Sequence, residues 1–328
     1  MKIAIIDDYQ DVVRTLGCYD KLAGHEVTIW NHHTKDVGLL ARRLHDTEAL
    51  VLIRERTPIP GELIRQLPKL RIISQNGVYP HVDVEACTRH GVILSSGMGT
   101  RPSYATAELA WGLMIAAMRR IPQEMAALKA GHWQSTMGQG MRGKTLGIYG
   151  FGRIGSVMAG YAKAFGMKVL VWGREGSLAR AREQGHDIAS SREAFFGTVD
   201  VLTLQIRATE ETRGIVTAAD LARMKPSALL VNTSRASLIE EGALLTALRS
   251  GRPGMAALDV FDEEPVLGAA DPLVQLPNVV CTPHLGYVEV QTYEFALGAA
   301  FDQVLAYAAG KPVNVVNPEA LTVRTESS

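Results

Sequence analysis

The chain has 328 residues, more than one hydrophobic core commonly spans, so two domains with substantial interiors are expected. Its 34 Lys and Arg balance 34 Asp and Glu, and this zero formal charge removes the electrostatic drive on which nucleic-acid and anionic-membrane binding rely. Apolar residues make up 47%, but no apolar run reaches the roughly 20 residues of a membrane span, and MKIAIIDDYQ has two acids where a signal peptide would stay apolar; a soluble, cytoplasmic protein is expected.

In chain order, strand-like runs at 2–6, 26–30, 49–53, 71–75 and 92–95 alternate with amphipathic stretches, the rhythm of a parallel sheet with crossover helices. A Gly-Thr-Arg-Pro break at Gly99 to Pro102 precedes a long Ala/Leu/Met-rich helix over 103–120, and the domain boundary is placed there. A second alternating series follows at 145–149, 168–172, 199–204, 227–232, 254–258 and 278–282, six strands that amount to a complete dinucleotide fold. A final long helix is expected over about 288–310, and the tail with Pro312 and Pro318, too short for a domain, returns to the first unit. The expected architecture is α/β, two doubly wound parallel-sheet domains with a cleft between them. Residues 1–100 and 288–328 form a flavodoxin-like substrate domain, and 101–287 a Rossmann cofactor domain. Cys18, Cys87 and Cys281 are widely spaced without CxxC, which gives no metal site and no disulfide framework and fits a reducing compartment.

Gly150, Gly152 and Gly155 form G-x-G-x-x-G directly after the strand at 145–149 and before a helix expected over 156–165. The first glycine permits the tight turn, the second lets the backbone approach a pyrophosphate, and the third allows close helix-to-strand packing, with phosphate at the helix N-terminus. About twenty residues on, where an acid would accept the adenosine ribose hydroxyls, stands Gly173, followed by Arg174, Glu175 and Ser177. The missing carboxylate, with Arg174 and Ser177 able to bond a 2′-phosphate, tilts the expectation toward NADP, while Glu175 keeps NAD open.

Three later strand ends carry NTSR at Asn232 to Arg235, DVFDEEP at Asp259 to Pro265 and TPHLG at Thr282 to Gly286. Reducing a 2-keto acid needs a cation for the carboxylate and ketone, a proton donor for the developing alkoxide, and a group that tunes the donor. Arg235, His284 and Glu264 are residue types suited to these roles: a planar guanidinium fork, an imidazole that titrates near neutrality, and a carboxylate to pair with it. Each alone also reads as a surface ion pair, a solvated acid in a turn or a satisfied loop histidine; their order behind a dinucleotide loop favours the catalytic reading.

The segments LGIYGFGRIG, MKPSALLVNTSRA, DVFDEEP and TPHLG, with GHW at Gly131 to Trp133, resemble the signatures of the D-isomer-specific 2-hydroxyacid dehydrogenases along nearly the whole chain. The resemblance implies hydride transfer between NAD(P)H and a small 2-keto or 2-hydroxy acid, with Arg235 as carboxylate and carbonyl binder, His284 as acid/base and Glu264 as its partner. It implies cofactor contacts from Thr106, Gly150, Gly152, Arg153, Ile154, Gly155, Ile206, Thr233, Ser234 and Gly286, with Asp259 at the nicotinamide carboxamide. Ile53 to Thr57 is similar to the family's arginine-containing substrate loop and Gln75 to Tyr79 to its glycine loop. Backbone N–H groups of Gly77 and Val78 would then hold the substrate carboxylate, with Arg54 assisting or reading a second anionic group, or standing as a plain surface residue. A homodimer through the cofactor domains, involving 103–120, is also implied. Two departures stand out: the loop after 199–204 reads Gln205-Ile206-Arg207 where the family commonly has a histidine and a proline, and Tyr79 replaces the usual second glycine, which would narrow the substrate pocket. The rival from another class is a cofactor-sensing, corepressor-like binding protein without turnover.

Overall fold

The computed structural model describes residues 1–97 and 104–325, so the break expected at Gly99 to Pro102 and the helix start at Ser103 lie outside the described residues. The chain divides into two compact units, Met1–Arg101 with Glu289–Ser328, and Pro102–Val288.

The first unit holds a five-stranded sheet of β1 (Lys2–Ile6), β2 (Glu26–Trp30), β3 (Ala49–Leu52), β4 (Ile72–Asn76) and β5 (Ile93–Gly97), in the order β2-β1-β3-β4-β5. All four pairings are parallel, and the middle strand, β3, is apolar and buried throughout, as a strand covered on both faces must be. Helix Val290–Ala308 belongs to this unit. The Glu294 carboxylate accepts the N–H groups of Gly17 and Cys18, and the Ser74 hydroxyl donates to the Ala300 carbonyl at 2.8 Å.

The tail then adds to the edge of β5. Val316 donates to the Leu94 carbonyl, Ser96 to that of Asn314, and Asn317, 3% exposed, ties the strand down with its side chain. Its Oδ1 accepts from Leu94 N–H at 2.8 Å, and its Nδ2 donates to the Val92 carbonyl and the Thr88 hydroxyl, both at 3.0 Å.

The second unit holds a seven-stranded parallel sheet, one strand more than the six expected. Its strands are β6 (Thr145–Tyr149), β7 (Lys168–Trp172), β8 (Asp187–Ile188), β9 (Val201–Leu204), β10 (Leu229–Asn232), β11 (Met255–Leu258) and β12 (Val279–Cys281), in the order β12-β11-β10-β9-β6-β7-β8. The additional strand, β8, is two residues long, too short for an alternating pattern to be read. Side chains alternate between two cores: Val231 and Ala257 enter one, Leu230 and Ala256 the other. Helix Tyr104–Met118 buries Ala107, Ala110, Trp111 and Met114 in the first of these, where the Trp111 ring meets Tyr161 and Phe165 edge-on.

Two helix boundaries differ from expectation. Arg120 adopts a left-handed φ of 52°, which ends the long helix, and a second helix, Ile121–Lys129, starts with proline in its first turn. The helix after the glycine loop spans Arg153–Ala164, three residues earlier than expected, with Gly152 as its N-cap; the low helix propensity of Gly155 hid the first turn.

Replacing Asn317 with alanine leaves the Leu94 N–H and the Val92 carbonyl buried without partners, and should destabilise the first unit by about 2–4 kcal/mol, read as a lower denaturation midpoint at unchanged slope.

Candidate active site

Arg235, Asp259 and His284 follow β10, β11 and β12, three neighbouring strands, at their C-terminal ends. The sheet register therefore assembles at one edge residues far apart in sequence. The histidine sits in a turn built by Asp259, which is fully buried. One Asp259 oxygen accepts from the Thr282 hydroxyl and the Leu285 N–H, both at 2.6 Å, and the other from the Gly286 N–H at 2.8 Å. Burial raises the Asp259 pKa above the ordinary carboxylate value, against these hydrogen bonds and the charge interaction with His284. Inside the turn His284 takes a left-handed φ of 54°, a conformation that costs a non-glycine residue energy and persists because its neighbours fix it.

The His284 Nδ1 lies 2.6 Å from Glu264 Oε2, with the two side chains 18% and 23% exposed. Glu264 is itself held, its Oε1 accepting from the Phe261 N–H at 3.0 Å. The Tyr287 ring stands edge-on to the imidazole, centroids 5.8 Å apart. Beside them, Asn232 organises the arginine turn: its Nδ2 donates to the Arg235 carbonyl at 2.9 Å and its Oδ1 accepts from Ser234 N–H at 3.0 Å. Ser234 Oγ reaches back to the Leu204 carbonyl at 2.8 Å, and Arg235 Nη1 donates to the Ser234 carbonyl at 2.7 Å.

The glycine loop fits a dinucleotide. The order of the second sheet reverses between β6 and β9, the crevice where open α/β sheets bind ligands, and the loop leaves β6 at that point. Gly150 has φ 92°, and a Cβ there would stand 2.6 Å from the Gln205 carbonyl oxygen and 3.1 Å from Ile206 Cγ1. A Cβ on Gly155 would meet the Gly150 carbonyl oxygen at 2.7 Å, whereas one on Gly152 would meet nothing within 4 Å. Two glycines therefore serve close packing, and the middle one faces open space. The helix N-terminus there, with Arg153 and Ile154 in its first turn, has no side-chain cap, so its N–H groups can serve an anion. The Thr233 hydroxyl is buried without a hydrogen-bond partner among the described residues, so it can bond a ligand. Thr106 donates to the Gly286 carbonyl at 2.7 Å and so locks the helix start onto the histidine turn.

At the end of β7, Gly173 and Ser177 flank Arg174, the N-cap of helix Glu175–Glu183. Arg174 Nη2 pairs with Glu211 at 2.7 Å, a partner that nothing in the sequence singles out. Glu175 pairs with Arg182 at 2.6 Å. Arg180, also not foreseen, donates from Nε to the Phe151 carbonyl at 2.9 Å and steadies the glycine loop. Among the described residues no group of three or more His, Cys, Asp or Glu side chains is arranged to hold a metal ion.

In the first unit, Arg54 has φ 61°, and its Nη1 lies 3.2 Å from where a Gly77 Cβ would be, so glycine at 77 makes room for the guanidinium. The Gly77 N–H donates to the Gly97 carbonyl at 2.9 Å and is thereby taken, leaving the Val78 N–H as the donor for an anion. Tyr79 is partly buried and packs against the core of this unit.

Residues 111–286 match the model of the D-isomer specific 2-hydroxyacid dehydrogenase NAD-binding domain. The chain belongs to this family. It is 34% identical over 311 residues to a glyoxylate reductase of Thermococcus litoralis, covering 91% of this chain and 92% of the relative. It is 36% identical over 282 residues to D-3-phosphoglycerate dehydrogenase of Methanocaldococcus jannaschii, covering 85% of this chain and 53% of that protein. The solved structure of an oxidoreductase from Ralstonia solanacearum superposes with a TM-score of 0.94 at 51% identity, covering 98% of each chain. The protein is thus a D-2-hydroxyacid dehydrogenase with an NAD(P)-binding domain, an oxidoreductase of 2-hydroxy and 2-keto acids. These relatives are enzymes, and the reading as a cofactor sensor without turnover finds no support among them.

For this dehydrogenase, the contact of Glu264 with His284 fixes the orientation of the imidazole ring. Glu264→Gln keeps the size of the side chain and removes its charge, and should lower kcat by about 10- to 100-fold with the cofactor Kd unchanged by fluorescence titration.

Proposed function

We propose that the chain interconverts a small 2-keto acid and its D-2-hydroxy acid, with Arg235 holding the carboxylate and carbonyl, His284 as acid/base and Glu264 as its partner. The observation that carries this is the 2.6 Å contact of His284 Nδ1 with Glu264 on the strand ends beside a dinucleotide loop. With Nδ1 so engaged, Nε2 exchanges the proton with the substrate oxygen. When bound, the nicotinamide supplies or accepts the hydride. Gly150, Gly152, Arg153, Ile154 and Gly155 would hold its pyrophosphate, Ile206, Thr233 and Ser234 its neighbouring groups, and Thr106, Asp259 and Gly286 its nicotinamide end. Arg235 carries the substrate anion, and its positive charge draws electrons from the carbonyl as the alkoxide forms. In the first unit, Arg54 and Val78 N–H bind the anionic end of the substrate, with Gly77 as the space-maker. Glyoxylate, the substrate named for one group of relatives, heads the trial series, followed by pyruvate, 4-methyl-2-oxopentanoate and, in the oxidative direction, D-3-phosphoglycerate.

The unit with the glycine loop binds the cofactor, and we propose that it accepts NADPH as well as NADH. Gly173 supplies no acid to repel a 2′-phosphate, and Ser177 can bond one, as can Arg174 once it exchanges its present partner, Glu211. The protein is further proposed to self-associate. Ile121, Met125 and Leu128 line up exposed on one helix, followed by exposed Trp133 and Met137; a monomer mass by light scattering would remove this part. A cytoplasmic location is also proposed, supported by the free thiols at Cys18, Cys87 and Cys281 and testable by cell fractionation.

His284→Ala should reduce turnover of the best keto acid by roughly 10²- to 10⁴-fold while cofactor titration is unaffected. Full activity in that variant would overturn the mechanism. Glu211→Gln should raise the NADPH:NADH ratio of kcat/KM by about fivefold, through KM, because the 2′-phosphate no longer competes for Arg174.

A further inference from the structure

The first sheet has its own reversal of strand order, between β1 and β3, and the chain leaving those strands carries a buried polar cluster that the proposed chemistry does not use. Asp7, directly after β1, is 3% exposed with φ 66°, and Thr57, in the loop after β3, is 2% exposed. The Thr57 hydroxyl donates to Asp7 Oδ2 at 2.8 Å. His33, from the loop after β2, brings its Nδ1 to 3.0 Å from Asp7 Oδ1 and 3.2 Å from Thr57 Oγ1. The contacts continue outward: the Tyr9 ring stands edge-on to His33 with centroids 6.3 Å apart, and the Arg56 guanidinium lies 5.9 Å from the Tyr9 centroid.

These contacts grip the loop Arg54 to Thr57 at its far end, Thr57 through Asp7 and Arg56 through Tyr9. At its near end the loop emerges from β3, paired to β1 through Leu52 and Ile6. Between the two grips stands Arg54, in a left-handed conformation against Gly77. A non-glycine residue holds that conformation only where its surroundings over-determine it, and another left-handed residue, Asp7, is the hub of the cluster. Burying a carboxylate is costly unless donors meet it, so this cluster is retained against its desolvation cost.

We propose that Asp7, His33 and Thr57 are positioning residues for substrate binding: they fix the Arg54 loop so that the guanidinium stays at Gly77 to receive the anionic end of the keto acid. The proposal rests on the reading of Arg54 as a substrate-binding residue. Loss of a group that orients binding without touching the reacting atoms raises KM and spares kcat.

The test is steady-state kinetics of the full chain with the best keto acid of the series, on Thr57→Val, Thr57→Ser, Arg54→Gln and the double variant Arg54→Gln/Thr57→Val. Thr57→Val should raise KM for the keto acid about tenfold, with kcat and the NADH dissociation constant within about twofold. Thr57→Ser, which keeps the donor, should restore KM. In the Arg54→Gln background the Thr57→Val change should add little, because both act through one guanidinium. If Arg54→Gln leaves KM unaltered, the reading of Arg54 itself fails. If Arg54→Gln raises KM while Thr57→Val does not, or raises it equally in both backgrounds, Arg54 binds substrate and the positioning cluster is wrong. Should Thr57→Val be insoluble, His33→Leu removes the other donor to Asp7 and carries the same expectations through the same cycle.

Discussion

The buried carboxylate of Asp259 is the constraint on which the site depends. A charge removed from water is stable only where donors surround it, and here the donors are two consecutive backbone N–H groups and a hydroxyl, all from the turn after β12. Satisfying that carboxylate dictates the path of Thr282 to Gly286. The path forces His284 into a left-handed conformation, and that conformation delivers its Nδ1 to Glu264. The apparent price, raised carboxylate pKa and backbone strain, is concentrated in a few residues whose geometry is thereby fixed before any substrate arrives.

Both sheets use the same topological device. In each, the chain runs outward to one side, returns, and continues on the other, so that two adjacent strands send their loops apart and open a crevice. In the second sheet the crevice lies between β6 and β9 and carries the glycine loop and Gln205. In the first it lies between β1 and β3 and carries Asp7 and the arginine loop. The neutral charge of the whole chain hides this arrangement, because the functional cations are single residues placed by strand ends.

Much of this was legible in the sequence for physical reasons. Parallel strands covered on both faces tend to short continuous apolar runs, and such runs located eleven of the twelve strands among the described residues, although β4 and β5 end in polar residues; β8, with two residues, is too short to be read. The dinucleotide loop was legible because its three glycines stand at fixed spacing between a strand and a helix, two of them at close-packed positions and the middle one facing open space. Arg235, Glu264 and His284 were legible as residue types in order and by family resemblance, although neither reveals that Glu264 is itself anchored by Phe261 N–H. Contacts between residues distant in sequence left no trace: Glu211 with Arg174, Asn317 with Leu94, and Thr57 with Asp7 are joined only by the fold. The break at Arg120 was hidden as well, since a left-handed arginine has no signature of its own.

Gly173 has a practical meaning for anyone redesigning cofactor choice. A Cβ at that position would come within 3.2 Å of Ser177 Cβ, so an aspartate grafted there requires the start of the following helix to give by a few tenths of an ångström. Grafting an acid there to favour NAD therefore carries a packing cost. Changing the preference from the rim, through the guanidinium, hydroxyl and carboxylate at 174, 177 and 211, leaves that packing untouched.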